Sequence, residues 1–211
     1  MNDVPVTAED ASALLELRHA ATDRVNIVVV PERRLFAIDG VGGPRGSDFR
    51  LASEVLRSAA ENLRATLHQR RGIESRIGVI EVAWWIHPEP APTEMAEAFA
   101  DRAKWHWQQM VEVADRATDE EAEAAIDVTR AQAGRDIPLL RLIHFTEGRA
   151  AQILQVAGPE AEAAAIARLY DAVAGLGLRV RGHLHQIVLA DPDRVPAGRS
   201  RSIFRLPIEP A

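Results

Sequence analysis

The feature that most constrains this chain is a pattern of elements that occurs twice. Val25-Asn26-Ile27-Val28-Val29-Val30 is a β-branched run stopped by Pro31, and Leu35–Ile38 is a second run that meets Asp39-Gly40, a turn signal. Ser47 or Asp48 then caps a helix to about Gln69, in which Phe49, Ala52, Val55, Leu56, Ala59, Ala60, Leu63 and Leu67 recur at three- and four-residue steps. A strand over Ile77–Ile86 closes the first copy. The second copy has strands over Leu139–Phe145 and Ala151–Val156, with Glu147-Gly148 as the turn between them. A helix follows from Gly158-Pro159, with Ala165, Ile166, Leu169, Val173 and Leu176 on its buried face and Gly175 and Gly177 at its end. Strands over Leu184–Leu189 and Ile203–Leu206 complete it. The copies lie about 110–120 residues apart. Strand pairs joined by tight turns, rather than alternating βαβ units, indicate an α+β fold with an antiparallel sheet.

Between the copies the sequence predicts two helices. One runs over Thr93–Val113 and carries Trp105 and Trp107; the other opens at the capping box Thr118-Asp119-Glu120-Glu121 and runs to about Ala133. A further helix is expected over Thr7–Asp23. The domain reading is therefore an N-terminal helical segment, 1–24, and one domain, 25–211. Within it, repeat one covers 25–90, the helical insertion 93–134 and repeat two 138–206.

Composition narrows the chemistry. The chain has no cysteine, which excludes disulfides, thiolate metal sites and a cysteine nucleophile. His183-x-His185 has no third ligand at motif spacing, so no metal is expected, and no motif calls for a cofactor. The glycine-rich stretch Gly40–Gly46 lacks the Lys-Ser/Thr end of a phosphate loop and reads as a flexible turn. No GxSxG is present. A net charge of −6 argues against direct nucleic-acid binding, and the basic tail through Arg194, Arg199, Arg201 and Arg205 reads as a solvated edge. No apolar run approaches the ~18–20 residues that span a bilayer, and Met1–Pro5 does not open a signal peptide. No membrane contact and a cytoplasmic location are expected.

The aromatic residues are unevenly spread. All four tryptophans fall between Trp84 and Trp107, and there is a single tyrosine, Tyr170. Strand alternation puts Ile80, Val82, Trp84 and Ile86 on one face and Glu81, Ala83 and Trp85 on the other. The first set reads as core. The second, a carboxylate beside an indole, reads as a ligand wall suited to flat or cationic compounds, with a cation–π contact of roughly 0.5–2 kcal/mol. On a helix Trp105 and Trp107 point about 200° apart. One is then expected to pack inward with Met110 or Val111 while the other caps the groove.

Four motifs in order carry a family resemblance. They are Phe36-Ala37-Ile38-Asp39-Gly40-Val41-Gly42 with Pro44; Glu81-Val82-Ala83-Trp84-Trp85; Trp105-His106-Trp107-Gln108-Gln109-Met110; and His185–Arg194. From about Leu35 to Leu206 the chain resembles the GyrI-like small-molecule-binding proteins, in the form without a DNA-binding domain. The resemblance implies two pseudo-symmetric βαββ units forming a curved antiparallel sheet, with helices on one face and a ligand groove on the other. Members bind hydrophobic or cationic organic compounds, some are fused to a helix-turn-helix, and some hydrolyse the cyclopropane of DNA-alkylating antibiotics.

The chain departs from that family pattern at the site. Gln186 stands where the family has glutamate, Val188 where it has tyrosine, Arg57 and Glu61 where it has helix tyrosines, Gln155 where it has histidine and Glu160 where it has tyrosine. A neutral amide is no useful base near pH 7. The expected ligand-binding residues are Glu81, Trp85, Trp105, Trp107, Gln155, Leu184, Gln186 and Val188. The expected partner is a small hydrophobic or cationic organic ligand. The alternatives are a ring-opening hydrolase in which Glu81 activates water, and a module that acts on gyrase or a regulator.

Overall fold

The computed structural model describes residues 21–134, 136–156, 159–190 and 200–211; the expected helix over Thr7–Asp23 lies largely outside them. In chain order the elements are β1 (Asn26–Val41), α1 (Ser47–Arg71), β2 (Glu81–Trp85), α2 (Met95–Ala100), β3 (His106–Glu112), α3 (Asp119–Ala133), β4 (Arg141–Val156), α4 (Pro159–Gly175), β5 (Leu178–Val180), β6 (Leu184–Ala190) and β7 (Arg201–Pro210).

The repeat is real, and it has the order βαββ. Its first copy is β1-α1-β2-β3 and its second is β4-α4-β6-β7. Within each, the last strand lies between the other two, as β1-β3-β2 and β4-β7-β6. The copies join through β1–β4 and β2–β6, all antiparallel, so six strands close into a ring. The short β5 is added at the far end of β7. α2, α3 and β5 stand outside the repeat.

The structure differs from the sequence expectations at several points. Val25–Val30 and Leu35–Ile38 are one strand, β1, not a hairpin, and Leu139–Phe145 and Ala151–Val156 are likewise one strand, β4. Pro31 is tolerated inside β1 because it lies opposite Glu147, between the pairs Val30↔Gly148 and Glu32↔Thr146, while β3 flanks β1 only from Leu35 onward. Trp107 is on a strand: Thr93–Val113 contains only the short α2 and then β3. The alternation of β3 is obscured because a polar residue, Gln109, takes an inward position, where it donates to the Phe49 carbonyl at 2.7 Å and accepts from Ser53 Oγ at 2.6 Å. Finally, α1 is capped by Gly46 without a side-chain cap, and Leu176 is exposed past the buried face of α4. The capping box at Thr118 is present as expected.

The ring has two faces, and strand parity sorts the residues between them. Phe36, Ile38, Val82, Trp84, Trp107, Val111, Ile153, Phe204 and Leu206 face the helices and form the main core with Ala52, Leu56, Leu63, Ile166 and Leu169. α1 ends at Gly72, whose φ of 63° suits a left-handed cap. Leu35, Ala37 and Met110 form a smaller cluster on the opposite face.

Gly40 is not a turn residue but the floor under an indole. It pairs with Trp107 across β1 and β3, and a Cβ there would lie 2.1 Å from Trp107 Cζ2. Gly40→Ala is therefore expected to destabilise the fold by roughly 1–3 kcal/mol through overpacking, read as a lower urea midpoint. Made in a Trp107→Leu background, Gly40→Ala should lower the midpoint by less than it does in the wild type. An unchanged midpoint in the single variant would show that the indole does not rest on Gly40.

Candidate functional site

Two polar constellations are built by the ring, one on each face. On the face away from the helices, closure brings together Arg33, Glu81, Glu147, Gln152, His185 and Arg205, all at most 5% exposed. Arg33 donates to both oxygens of Glu81, at 2.6 and 2.9 Å, and lies 3.6 Å from Glu147. His185 sits between the two carboxylates, with Nε2 3.1 Å from Glu81 and Nδ1 3.4 Å from Glu147. Arg205 pairs with Glu147 at 3.1 Å and donates to Gln152 Oε1 through Nε and Nη2. Arg205 is thus inside the ring rather than on a solvated edge.

The electrostatics follow from this packing. Burial disfavours charge on Arg33, Glu81, Glu147 and His185, but opposite charges at contact distance outweigh it. Arg33 and His185 hold Glu81 well below the ordinary carboxylate range, and His185 and Arg205 hold Glu147 below it. Burial would lower the His185 pKa, yet Glu147 and Glu81 raise it above the ordinary 6.5. Glu81 is consequently a closed, doubly paired carboxylate, with little basicity left for a water molecule.

Around this centre the same face opens toward the ends of β1 and β2. Asp39 is exposed there, and Ala83, Trp85 and Gln108 are half-buried. Trp85 stacks between His106 on β3, at 5.7 Å and 13°, and His183, at 4.7 Å and 18°. Both of its faces are already covered.

The other constellation lies among the helices. Trp84 is stacked on Phe49 of α1 at 5.4 Å and 11°, and Phe49 meets Trp107 edge-on at 5.2 Å. Phe99 of α2 meets Trp84, Trp105 and Phe204 edge-on at 5.5–5.8 Å. Into this aromatic wall projects Arg102, whose Cζ is 4.2 Å from the Phe99 ring centre and 5.1 Å from that of Trp84. Glu162 of α4 is its counter-ion, 3.3 Å from Nη2. Gln186 of β6 joins the parts: its Oε1 accepts from Trp84 Nε1 at 3.1 Å, and its amide nitrogen faces Glu162 at 3.4 Å and Ser202 Oγ at 3.2 Å. Burial pushes the Glu162 carboxyl up and the Arg102 guanidinium down, each opposed by the other. Chemically this is a cation held by aromatic faces and one carboxylate.

The expected ligand residues divide between the two faces. Trp107, Leu184, Gln186, Val188 and Gln155 are on the helix side by strand parity, and Trp105 joins the same core. Glu81 and Trp85 are on the opposite side. Gln186 pairs with Val82, while Glu81 pairs with Ile187, so Glu81 and Gln186 do not share a surface. Trp105 and Trp107 are both 1% exposed; neither caps an open groove, because a strand residue and its i−2 neighbour fall on one side where a helix would separate them. Arg102, Phe99 and Glu162 were not among the expected residues. Glu162 was within reach of the periodicity, since it precedes Ile166, Leu169 and Val173 at helical steps. Arg102 was hidden by the helical reading of its segment.

No family model and no curated protein sequence matches the chain. Its fold does have relatives among solved structures. An uncharacterized conserved protein from Listeria innocua has a TM-score of 0.80 at 24% identity, over 92% of this chain and 96% of that one. A hydrolase from Listeria innocua has a TM-score of 0.77 at 22% identity, over 94% and 98%. The C-terminal domain of EcmrR has a TM-score of 0.55 at 8% identity, over 89% and 98%. At these identities what the chain shares with them is the fold. Among the described residues no helix is long and apolar enough to cross a membrane, and no group of His, Asp and Glu is arranged to hold a metal ion.

The inner cluster makes two predictions. Glu81→Gln removes the carboxylate that pairs with Arg33 through both oxygens and leaves Glu147 as the one carboxylate facing Arg33, His185 and Arg205; it should cost about 3–5 kcal/mol in chemical denaturation. Because the folded pKa of His185 is raised, its protonation contributes stability that is fully present below pH 6.5 and lost as pH rises through the folded value. The melting temperature of the wild type should therefore fall, relative to His185→Gln, as pH rises above 6.5. A difference between the two that is flat with pH would remove this role for His185.

Proposed function

We propose that this chain is a small-molecule-binding protein that holds a flat, hydrophobic, cationic organic compound against the aromatic wall of Trp84, Phe99 and Phe49. The observation that carries this reading is the guanidinium of Arg102 seated against Trp84 and Phe99 with Glu162 as its counter-ion. It is the contact set such a ligand needs, already occupied by a planar cation from the chain itself. Gln186 orients the set from both sides, through the Trp84 indole and the Glu162 carboxylate. The family's glutamate is absent from β6, yet a carboxylate reaches the same cluster from α4.

A second reading is hydrolysis, favoured by the fold shared with the Listeria hydrolase. Glu81 would be its water-activating group. Both oxygens of Glu81 are paired and 1% of the residue is exposed, which supports binding over hydrolysis. A strained-ring substrate converted to a product heavier by one water, at a rate lost in Glu81→Gln while the variant remains folded, would favour the enzyme instead.

Titration with ethidium and acridine orange, both flat cations, should quench tryptophan fluorescence with a Kd at or below ~100 μM. The quenching should weaken in Trp84→Leu. No response to either compound at that concentration would overturn the binding reading.

A further inference from the structure

Arg102 differs from the rest of its site in what holds it. Trp84, Phe49, Gln186 and Glu162 belong to β2, α1, β6 and α4, the strands and long helices of the two repeats. Arg102 lies just beyond the six-residue α2, in a segment without regular structure. Phe99 and Trp105, at 2% and 1% exposure, anchor the chain on either side of it. Its own side chain and that of Glu162 keep 15% and 18% exposure, so the pair forms the solvent-facing edge of an otherwise closed aromatic cluster. The Arg102 side chain can therefore swing outward without moving its anchors, and its departure uncovers one face of Trp84 and one carboxylate together.

We propose that Arg102 is the specificity-determining residue of this site: it occupies the cation position, and a ligand binds by replacing it between Trp84 and Glu162. This inference rests on the binding reading above and narrows it to an exchange of cations. The physical reason is the carboxylate. If Arg102 leaves and a neutral compound enters, Glu162 is left shielded from water without a counter-ion, an arrangement that costs far more than a broken surface pair. If a flat cation enters, Glu162 keeps a partner and Trp84 keeps a cation–π contact. The ligand class is thus a compact conjugated monocation of the amidinium or guanidinium type. A flat neutral compound of the same size is excluded because it leaves the charge uncompensated, although its shape would fit.

The test compares benzamidine, a flat monocation, with benzamide, its neutral counterpart, and with benzoate. Wild type, Arg102→Ala and Arg102→Leu are titrated by tryptophan fluorescence and by the shift in melting temperature. Arg102→Leu retains apolar cover over Trp84, so it supplies the comparison if Arg102→Ala fails to fold. Benzamidine should bind both variants at least about ten-fold more tightly than wild type, while benzamide gains little. Adding Glu162→Gln to either variant should abolish the gain. Methylguanidinium should raise the melting temperature of Arg102→Ala and leave the wild type unchanged.

Benzamidine bound by wild type and no more tightly by the variants would overturn the exchange while leaving the binding reading standing. An equal gain for benzamide would do the same, since removal of Arg102 would then merely open space. Benzoate binding that disappears with Arg102 would also overturn it, by making the guanidinium a ligand contact. No response of any variant to benzamidine, together with no response of wild type to ethidium, would sink both readings.

Discussion

The buried pairing of Arg33 with Glu81 is the interaction on which the arrangement of this protein depends. A charge can be buried at tolerable cost only when its partners are all in place, and here the partners come from β1, β2, β4, β6 and β7. Arg33 and Glu81 bring β1 and β2 into line across β3; His185 and Arg205 add β6 and β7; Glu147 returns the network to β4. A one-residue slip in any of these strands would turn its charged residue into the helix-side core and its apolar neighbours into the ring. The cluster therefore acts on register. It selects the parity in which Trp84, Gln186 and Trp107 face the helices.

That parity decides where chemistry can occur. The inner face is saturated at its centre, with Glu81 and Glu147 held ionised by fixed cations. The helix-side face is mainly apolar, interrupted by Gln109, Gln155, Gln186 and Ser202. Gln109 is consumed by bonds to Phe49 and Ser53. Gln186 is tied to Trp84, Ser202 and Glu162, and so connects an indole to a carboxylate near the surface. The aromatic wall, the Arg102 guanidinium and the Glu162 carboxylate meet on this side, so the proposed exchange of cations is placed here.

Much of this was open to reading in the order of residues. The long helices were legible because an apolar stripe at three- and four-residue steps has no competing explanation, and the capping box at Thr118 marks its helix directly. The core position of Trp84 followed from its all-apolar alternation. Pro31 and Gly148 are strong local breaks that give β1 and β4 the sequence pattern of hairpins, yet long-range pairing between the two strands carries them through. β3 lacks a clear period of two in the sequence because polar Gln109 takes the helix side and apolar Met110 the opposite face.

The sequence alone determined that this is an α+β chain with a repeated unit, two amphipathic helices and a tryptophan-rich first half. Those properties depend on local periodicity and side-chain chemistry, which neighbours in the chain report by themselves. Only the tertiary structure decided that Glu81 is an internal ion pair, that Glu162 and Arg102 meet beside Trp84, and that Glu81 and Gln186 are on opposite faces. The reason is that each of these depends on which residue stands across from which in a ring closed by contacts such as Arg33 with Glu81, 48 positions apart. Such distances cannot be read from spacing along the chain.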